Sequence, residues 1–370
     1  MNPMKRLLLA SVFGALTSCG LEHRTMDYDA VLNFKICDTA CIADRVQRID
    51  FLPLEWTQEA SFRNADKTVV RNRTIYIWDY FSRKIVAYDL GGKVRFVLDR
   101  RGRGPGEYME IRNFTIDDRY LYTIDNYRRS LDLYDCRTGI YAGSKTLPFF
   151  VSDIETLDNG GFLLAYVPTP GERLEAQPQP YRLFATDADL GVVRTYLPLG
   201  KGDCDPAGCW HYFTENDQEI IFGSFLFDGF TRIDRRSGER VTRTRIDFGR
   251  EIRPDERRDI EAVRRSGRPY MMETPLCCGD YVLVQVLTGS HGRNYLYDPA
   301  TELFLENSRT TAENYLLLPV IGGSEGCFYS LLTDFEYYRQ AVENGFGRMD
   351  ETAEKRLAQG DCVLVRYTMK

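Results

Sequence analysis

Thr74-Ile75-Tyr76-Ile77-Trp78-Asp79, Lys84-Ile85-Val86-Ala87-Tyr88-Asp89 and Lys93-Val94-Arg95-Phe96-Val97-Leu98 follow one another in the first third of the chain. Each is a short run of β-branched and aromatic residues. The first two end on aspartate, and Gly91-Gly92 precedes the third. Such residues fit a pleated, half-buried surface, while Asp and Gly supply turns, so three strands with tight connections are expected, as in a β-meander. The unit then recurs. Tyr120-Leu121-Tyr122-Thr123-Ile124-Asp125 ends 46 residues after Asp79, and Leu131-Asp132-Leu133-Tyr134-Asp135 ends 46 residues after Asp89, with Thr138-Gly139 as its turn.

Weaker copies continue the series. Gly161–Tyr166 with Tyr181–Asp187 reads as a third, Ile220–Gly223 with Thr231–Asp234 as a fourth, and Tyr281–Val284 with Tyr295–Asp298 as a fifth. A period in the mid-forties to sixties is that of propeller blades. One blade cannot bury both its faces; stacking blades about an axis buries them all. A ring must also be closed. The strand pattern Val46–Leu52 has no local partner, and Cys362–Tyr367 is a clean terminal strand, so the two are expected to share the closing blade. The fold class expected is all-β: a six-bladed β-propeller closed by N- and C-terminal strands, with one or two short helices near the C-terminus. Thr333–Gly345 is one predicted helix, with Thr333 and Glu336 as a capping box and Gly345 as its stop. Asp350–Gly360 is another, capped by Asp350. Pro254–Ser266 is charged, with a thin apolar stripe of Ile260 and Val263, and reads as a surface helix or loop.

The N-terminus carries a targeting signal. Lys5 and Arg6 precede an uncharged apolar run, Leu7–Leu16, and Leu16-Thr17-Ser18-Cys19 matches a lipobox. About ten apolar residues are too few to span a bilayer as a helix, and the order is that of a secretory signal. Cleavage before Cys19 and acylation of that cysteine would anchor the chain in a membrane. The organisation expected is a signal peptide at 1–18, a lipidated cysteine and tether at 19–43, and a single propeller domain at 44–370. The formal charge of the 370 residues is −6 and the arginines lie in pairs among acids, which argues against a nucleic-acid partner.

Ten cysteines are present; Cys19 takes the lipid and an odd number remains. Export permits disulfides, and Cys37–Cys41 and Cys204–Cys209 are the candidate pairs. The vicinal Cys277-Cys278 is expected to have two separate fates. Without a CxxC or HxxxH pair, structural zinc is disfavoured.

Several of these stretches also carry a family resemblance. Val46–Glu55 (VQRIDFLPLE), Arg101–Tyr108 (RGRGPGEY), the aspartate closing Tyr76-Ile77-Trp78-Asp79 and the terminal Asp361–Val365 resemble bacterial six-bladed β-propeller lipoproteins related to NHL-repeat proteins. The resemblance implies the sixth blade and a place in the cell envelope, with no activity attached.

Gly102, Gly104 and Gly106 suggest a phosphate loop, but Glu107-Tyr108 stand where a Walker loop needs Lys-Ser/Thr. Gly104-Pro105-Gly106 fits a type II turn instead; if a site uses this loop, Arg101, Arg103 and Glu107 are its polar groups. The aspartates at strand ends recur with the blades and are expected to cap turn amides. No cofactor is expected; calcium in the central channel is the alternative, with Asp125-Asn126 as the acid–amide pair at a suitable strand end. The histidines are His23, His211 and His291, too few in the body for a three-histidine zinc site, and no Gly-x-Ser-x-Gly elbow supports a catalytic triad. Trp210-His211-Tyr212 is the most ligand-like segment. The function expected is an outer-membrane-anchored, periplasmic or surface-exposed binding or scaffold module for a peptide, glycan or protein partner, and not an enzyme. A calcium-dependent propeller hydrolase or lyase is the alternative.

Overall fold

The fold comes from a computed structural model, which describes residues 28–169, 179–200, 205, 211–224, 228–252, 256, 259–307, 316, 319–324 and 326–370. Six antiparallel sheets succeed one another about a common axis. Blade one is the meander read from the sequence: an innermost strand Lys67–Arg71, then Thr74–Asp79, Lys84–Asp89 and Val94–Leu98. Blade two (114–146) repeats it, and the third, fourth and fifth copies fall in blades three (153–198), four (213–247) and five (269–306). Blade six is the expected clasp. Val46–Pro53 is its outermost strand and pairs antiparallel with the C-terminal Val363–Met369, Phe51 opposite Val365.

Strand Thr74–Asp79 shows why the ring forms. All six residues are buried, yet they belong to two different cores. Tyr76 and Trp78 pack with Phe114, Leu121 and Tyr134 of blade two. Ile75 and Ile77 pack with Cys327, Tyr329 and Leu364 of blade six. Alternation along a strand sends successive side chains to opposite faces, so a blade's middle strands face a neighbour on each side. Four further clusters fill the remaining interfaces between blades. The core is therefore six thin slabs rather than one centre, and removing the closing strand would expose two of them.

The recurring aspartates cap turns, as expected. Asp79 Oδ1 accepts from the Ser82 amide at 3.0 Å and Asp125 Oδ1 from the Arg128 amide at 3.1 Å. Their Oδ2 atoms each accept an amide sixteen residues upstream, Arg63 and Met109, both at 2.7 Å. Asp89, Asp135, Asp187 and Asp234 close the next turn of their blades in the same manner.

Three expectations are corrected. The helix near the C-terminus runs Phe335–Glu343, and its cap is Asp334, whose carboxylate accepts from the Tyr337 amide at 2.8 Å; Thr333 lies one residue too early to reach it. The next helix, Glu351–Ala358, is capped by Asp350 as expected. Both lie between the second and third strands of blade six. A third helix, Ile260–Arg265, falls inside the charged 254–266 segment and buries Val263. Secondly, the packed body begins before residue 44. Ala30–Asn33 adds a parallel strand to the outer edge of blade four, Cys37 N donates to Phe304 O of blade five at 2.9 Å, and Arg45 pairs with Asp298 of blade five. The segment 28–45 is thus a strap across the outer edges of three blades. Thirdly, Cys37 and Cys41 are free thiols, not a bonded pair. Cys37 Sγ lies 3.5 Å from Thr39 Oγ1, and Cys41 N–H is taken by Asp44 Oδ2 at 2.8 Å, which turns the two residues to separate local roles. Cys277 and Cys278 do diverge: one lies in the core between blades four and five, the other between five and six.

Candidate functional site

The innermost strands bring charged side chains to the axis. Lys67, first in its strand, is buried and reaches past blade two to blade three: Nζ donates to Glu155 Oε1 at 2.8 Å, Phe114 O at 2.8 Å and Asn113 Oδ1 at 3.1 Å. Glu155 Oε2 accepts from Thr115 Oγ1 at 2.7 Å. Further along the same strands, Glu215 of blade four is paired with Arg235 and lies 3.5 Å from Arg71 of blade one. Burial alone pushes the Lys67 pKa down; Glu155, Asp153 and Glu215 more than offset it, and the ammonium stands above the usual lysine value. Burial also pushes Glu215 up, but Arg235, Arg71 and Lys67 together bring it down to about 2. Glu155 moves the other way, raised chiefly by burial with Lys67 opposing.

At the entry end of these strands, Asp153 Oδ2 accepts from the amides of Tyr212 at 2.6 Å and Phe213 at 2.8 Å. His211 precedes them. Burial lowers its pKa against the fields of Asp153 and Glu273, so the ring is neutral near pH 7, and its buried Nδ1 has no hydrogen-bond partner. Tyr212 is buried, with its hydroxyl donating to Asp205 Oδ2 at 2.9 Å. Of the Trp210-His211-Tyr212 segment read from the sequence, His211 thus stands within the field of Asp153, and Tyr212 serves as a core residue.

A second feature lies in the turns between the second and third strands of blades one and two. Phe81 and Tyr127 stand 46 residues apart at equivalent positions, and they are 60% and 77% exposed. Both turns finish on an arginine with positive φ, Arg83 at 52° and Arg129 at 54°, so the two turns share one backbone shape. Phe81 packs edge-on against Tyr80 with centroids 5.6 Å apart. Arg83 donates to Met109 O at 3.0 Å, and Arg128 donates to Glu107 O, which ties both turns to the segment between the blades.

That segment holds the loop Arg101–Tyr108. Glu107 N donates to Gly104 O at 3.1 Å and Gly106 has φ +75°, the type II turn expected from Gly-Pro-Gly. Glu107 Oε2 turns inward to accept the Gly104 amide at 2.8 Å. A Cβ on Gly102 would stand 1.9 Å from that oxygen, so the glycine makes room for the carboxylate. Arg101 and Arg103 are exposed, and Arg101 pairs with Asp99 at 3.1 Å. The loop is built for shape, and its arginines do not converge with His211 or the axis.

Asp125 and Asn126 are likewise occupied. Asp125 holds two amides, and Asn126 exchanges hydrogen bonds with the Val151 backbone at 2.9 and 3.1 Å. Among the described residues no group of three or more His, Cys, Asp or Glu side chains is arranged to hold a metal. The axial carboxylates face cations and amides, a donor set unsuited to calcium, which needs several free oxygens. Cys19, Cys204, Cys209 and Trp210 lie outside the described residues.

The sequence reading missed the axial ion pairs. Lys67, Glu155 and Glu215 sit in strands of three to five residues with no visible period, and their pairing joins positions 88 residues apart. It also passed over Phe81 and Tyr127, although their 46-residue spacing is the repeat itself.

A family model described as a domain of unknown function, DUF4934, matches residues 32–359. The chain belongs to the DUF4934 family. No curated protein matches it. Among solved structures it is similar to a Bacteroides fragilis protein described as exported, with 14% identity, a TM-score of 0.70, and coverage of 92% of this chain and 100% of that one. A member of the DUF4221 family from Bacteroides vulgatus is more distant, at 12% identity and a TM-score of 0.49 over 88% of this chain and 97% of that one. At such identities the first likeness speaks to the propeller fold alone. Among the described residues no helix is long and apolar enough to cross a membrane.

Proposed function

We propose that this DUF4934 protein is a lipoprotein of the outer membrane, held by Cys19 and akin to NHL-repeat propellers, whose ring binds a peptide, glycan or protein partner. The observation that carries the binding role is the exposed aromatic pair. Phe81 and Tyr127 occupy the same position in adjacent blades, and exposed aromatic rings are the side chains in which binding surfaces are enriched. Tyrosine with arginine nearby is the composition of binding hot spots. The anchor reading rests on Lys5-Arg6, the apolar run and Leu16-Thr17-Ser18-Cys19.

The axis supports the same reading against the calcium-dependent enzyme. Its carboxylates are neutralised by Lys67, Arg71 and Arg235, and a buried ion pair resists giving up its partner to a metal or a substrate. The test is a peptide and glycan array probed with the chain beginning at Gly20, beside the Phe81→Ser/Tyr127→Ser double variant. Binding that the double variant loses at least tenfold, by about 1.4 kcal/mol or more, supports the proposal. Stoichiometric bound calcium that raises the melting temperature would turn the reading to the hydrolase.

A further inference from the structure

We infer that the outer edge of blades three and four is the surface this protein lays against phospholipid headgroups. The inference rests on the lipid anchor at Cys19 proposed above. Cys19 and Tyr28, the first described residue, are nine positions apart, a reach of about 30 Å even when fully extended. Where Tyr28 meets the propeller therefore limits which side can approach a bilayer.

That place is well defined. The Tyr28 ring lies under the Arg243 guanidinium at 4.9 Å. Asp29 N donates to Arg243 O at 2.8 Å, and Asp29 Oδ2 accepts from Arg243 N at 2.7 Å. Ala30–Asn33 then runs parallel to Thr244–Asp247, the end of the last strand of blade four. The neighbouring edge of blade three is drawn alongside, since Arg194 pairs with Glu239 at 2.6 Å and Tyr196 donates to Gly238 O at 2.8 Å.

This edge carries the side chains that a headgroup region favours. Val192, Val193 and Val241 are 46, 66 and 48% exposed, and Val31 of the strap is 47% exposed. They account for four of the nine large hydrophobics that stand exposed among the described residues. Strand Arg240–Asp247 sets Val241 among Arg240, Arg243 and Arg245, of which Arg240 meets Asp29 at 3.5 Å and Arg245 meets Asp247 at 3.6 Å, solvent-facing pairs that hold their arginines only weakly. Exposed valines enter the headgroup and acyl boundary, while arginines snorkel to phosphates and draw anionic lipid. Among the described residues, the outermost strand of blade three also has no further strand on its free side. In a six-membered ring blade four lies opposite blade one, so this placement turns blade one, with Phe81, away from the bilayer.

The test uses the lipidated full-length mature protein on vesicles of phosphatidylethanolamine and phosphatidylglycerol carrying a nitroxide on the headgroup. A fluorophore is placed through Val193→Cys, Val241→Cys or Tyr127→Cys, with Cys37→Ser, Cys41→Ser, Cys204→Ser and Cys209→Ser as background. Quenching several-fold stronger at 193 and 241 than at 127 is expected. Val192→Asp with Val241→Asp should weaken quenching at 193 without releasing the protein. Equal quenching at all three positions, or stronger quenching at 127, overturns the inference while the anchor stands. A chain that stays in the supernatant with no acyl mass on Cys19 defeats the anchor itself, and this inference falls with it.

Discussion

Lys67 Nζ lies 2.8 Å from Glu155 Oε1, so one buried ion pair joins blade one to blade three beside the axis. Their side chains are 8% and 1% exposed; the ammonium donates to Glu155 Oε1, Asn113 Oδ1 and the Phe114 carbonyl, and Thr115 donates to Glu155 Oε2. Lys67→Met strips the buried carboxylate of its cation and should cost about 3–5 kcal/mol. The double variant Lys67→Met/Glu155→Leu should recover much of that, because no lone charge stays behind. Urea unfolding of both checks it; a single variant within about 1 kcal/mol of the parent would mean that water reaches this part of the axis.

Glu215 gives the axis a pH signature. Its carboxyl titrates near 4.5 when unfolded and is brought down to about 2 in the fold by Arg235, Arg71 and Lys67 against the effect of burial. The native state therefore binds fewer protons between those values. The stabilisation is complete above about pH 4.5 and is lost as pH falls toward 2, a contribution of roughly 3 kcal/mol in all. Glu215→Gln should be less stable at pH 6 and should lose this part of the acid slope. Stability curves for parent and variant that run parallel from pH 6 to pH 3 would refute the assignment.

Asp132 runs the opposite way. Its side chain is fully buried, Oδ1 has no partner, and Arg128 stands 3.5 Å from Oδ2; burial raises its pKa from 3.8 to about 6 in spite of that arginine. The folded state holds the proton more tightly, so this residue's favourable contribution is full below about pH 3.8 and disappears as pH rises through 6. Asp132→Asn is expected to stabilise the protein at pH 7.5 by about 1–2 kcal/mol and to make little difference below pH 4. Thermal melts at the two pH values are enough to decide.

Gly106→Ala tests the loop between blades one and two. A residue at φ +75° favours glycine, and the new Cβ would meet Tyr141 Cβ at 2.8 Å. The expected loss is about 1–3 kcal/mol, with binding through Phe81 and Tyr127 retained in whatever fraction stays folded. A neutral substitution would show that the turn can relax away from blade two.

Arg45→Ala tests the strap. Arg45 donates to Asp298 Oδ2 through Nε at 3.0 Å and Nη2 at 2.7 Å, and the aspartate is fully buried. The Ala300 amide and the Thr301 hydroxyl remain to it, so the loss should be about 1–2 kcal/mol rather than the full cost of a bare charge. Hydrogen exchange should quicken first at Ala30–Asn33 and Val46–Pro53; uniform acceleration across all blades would place the strap inside the global unfolding unit.

The sequence by itself determined the blades. Alternating runs ending in aspartate at a 46-residue spacing encode strands, turns and repeat together, because each is a local preference of the backbone. It determined the clasp as well, since two strand patterns at opposite ends had no other partner. The type II turn at Gly104–Glu107 was legible for the same local reason. The tertiary structure decided what depends on neighbours distant in the chain. Thr333 lost the helix cap to Asp334 by one residue of reach. Cys37 and Cys41 stand as separate thiols, with the Cys37 amide held by Phe304 O of blade five and the Cys41 amide by Asp44. Lys67, Glu155, Glu215 and Arg235 carry no spacing that announces a site, and only closing the ring sets them against one another. Charge pairing is a property of distance in space, and a propeller brings residues 88 positions apart within 2.8 Å.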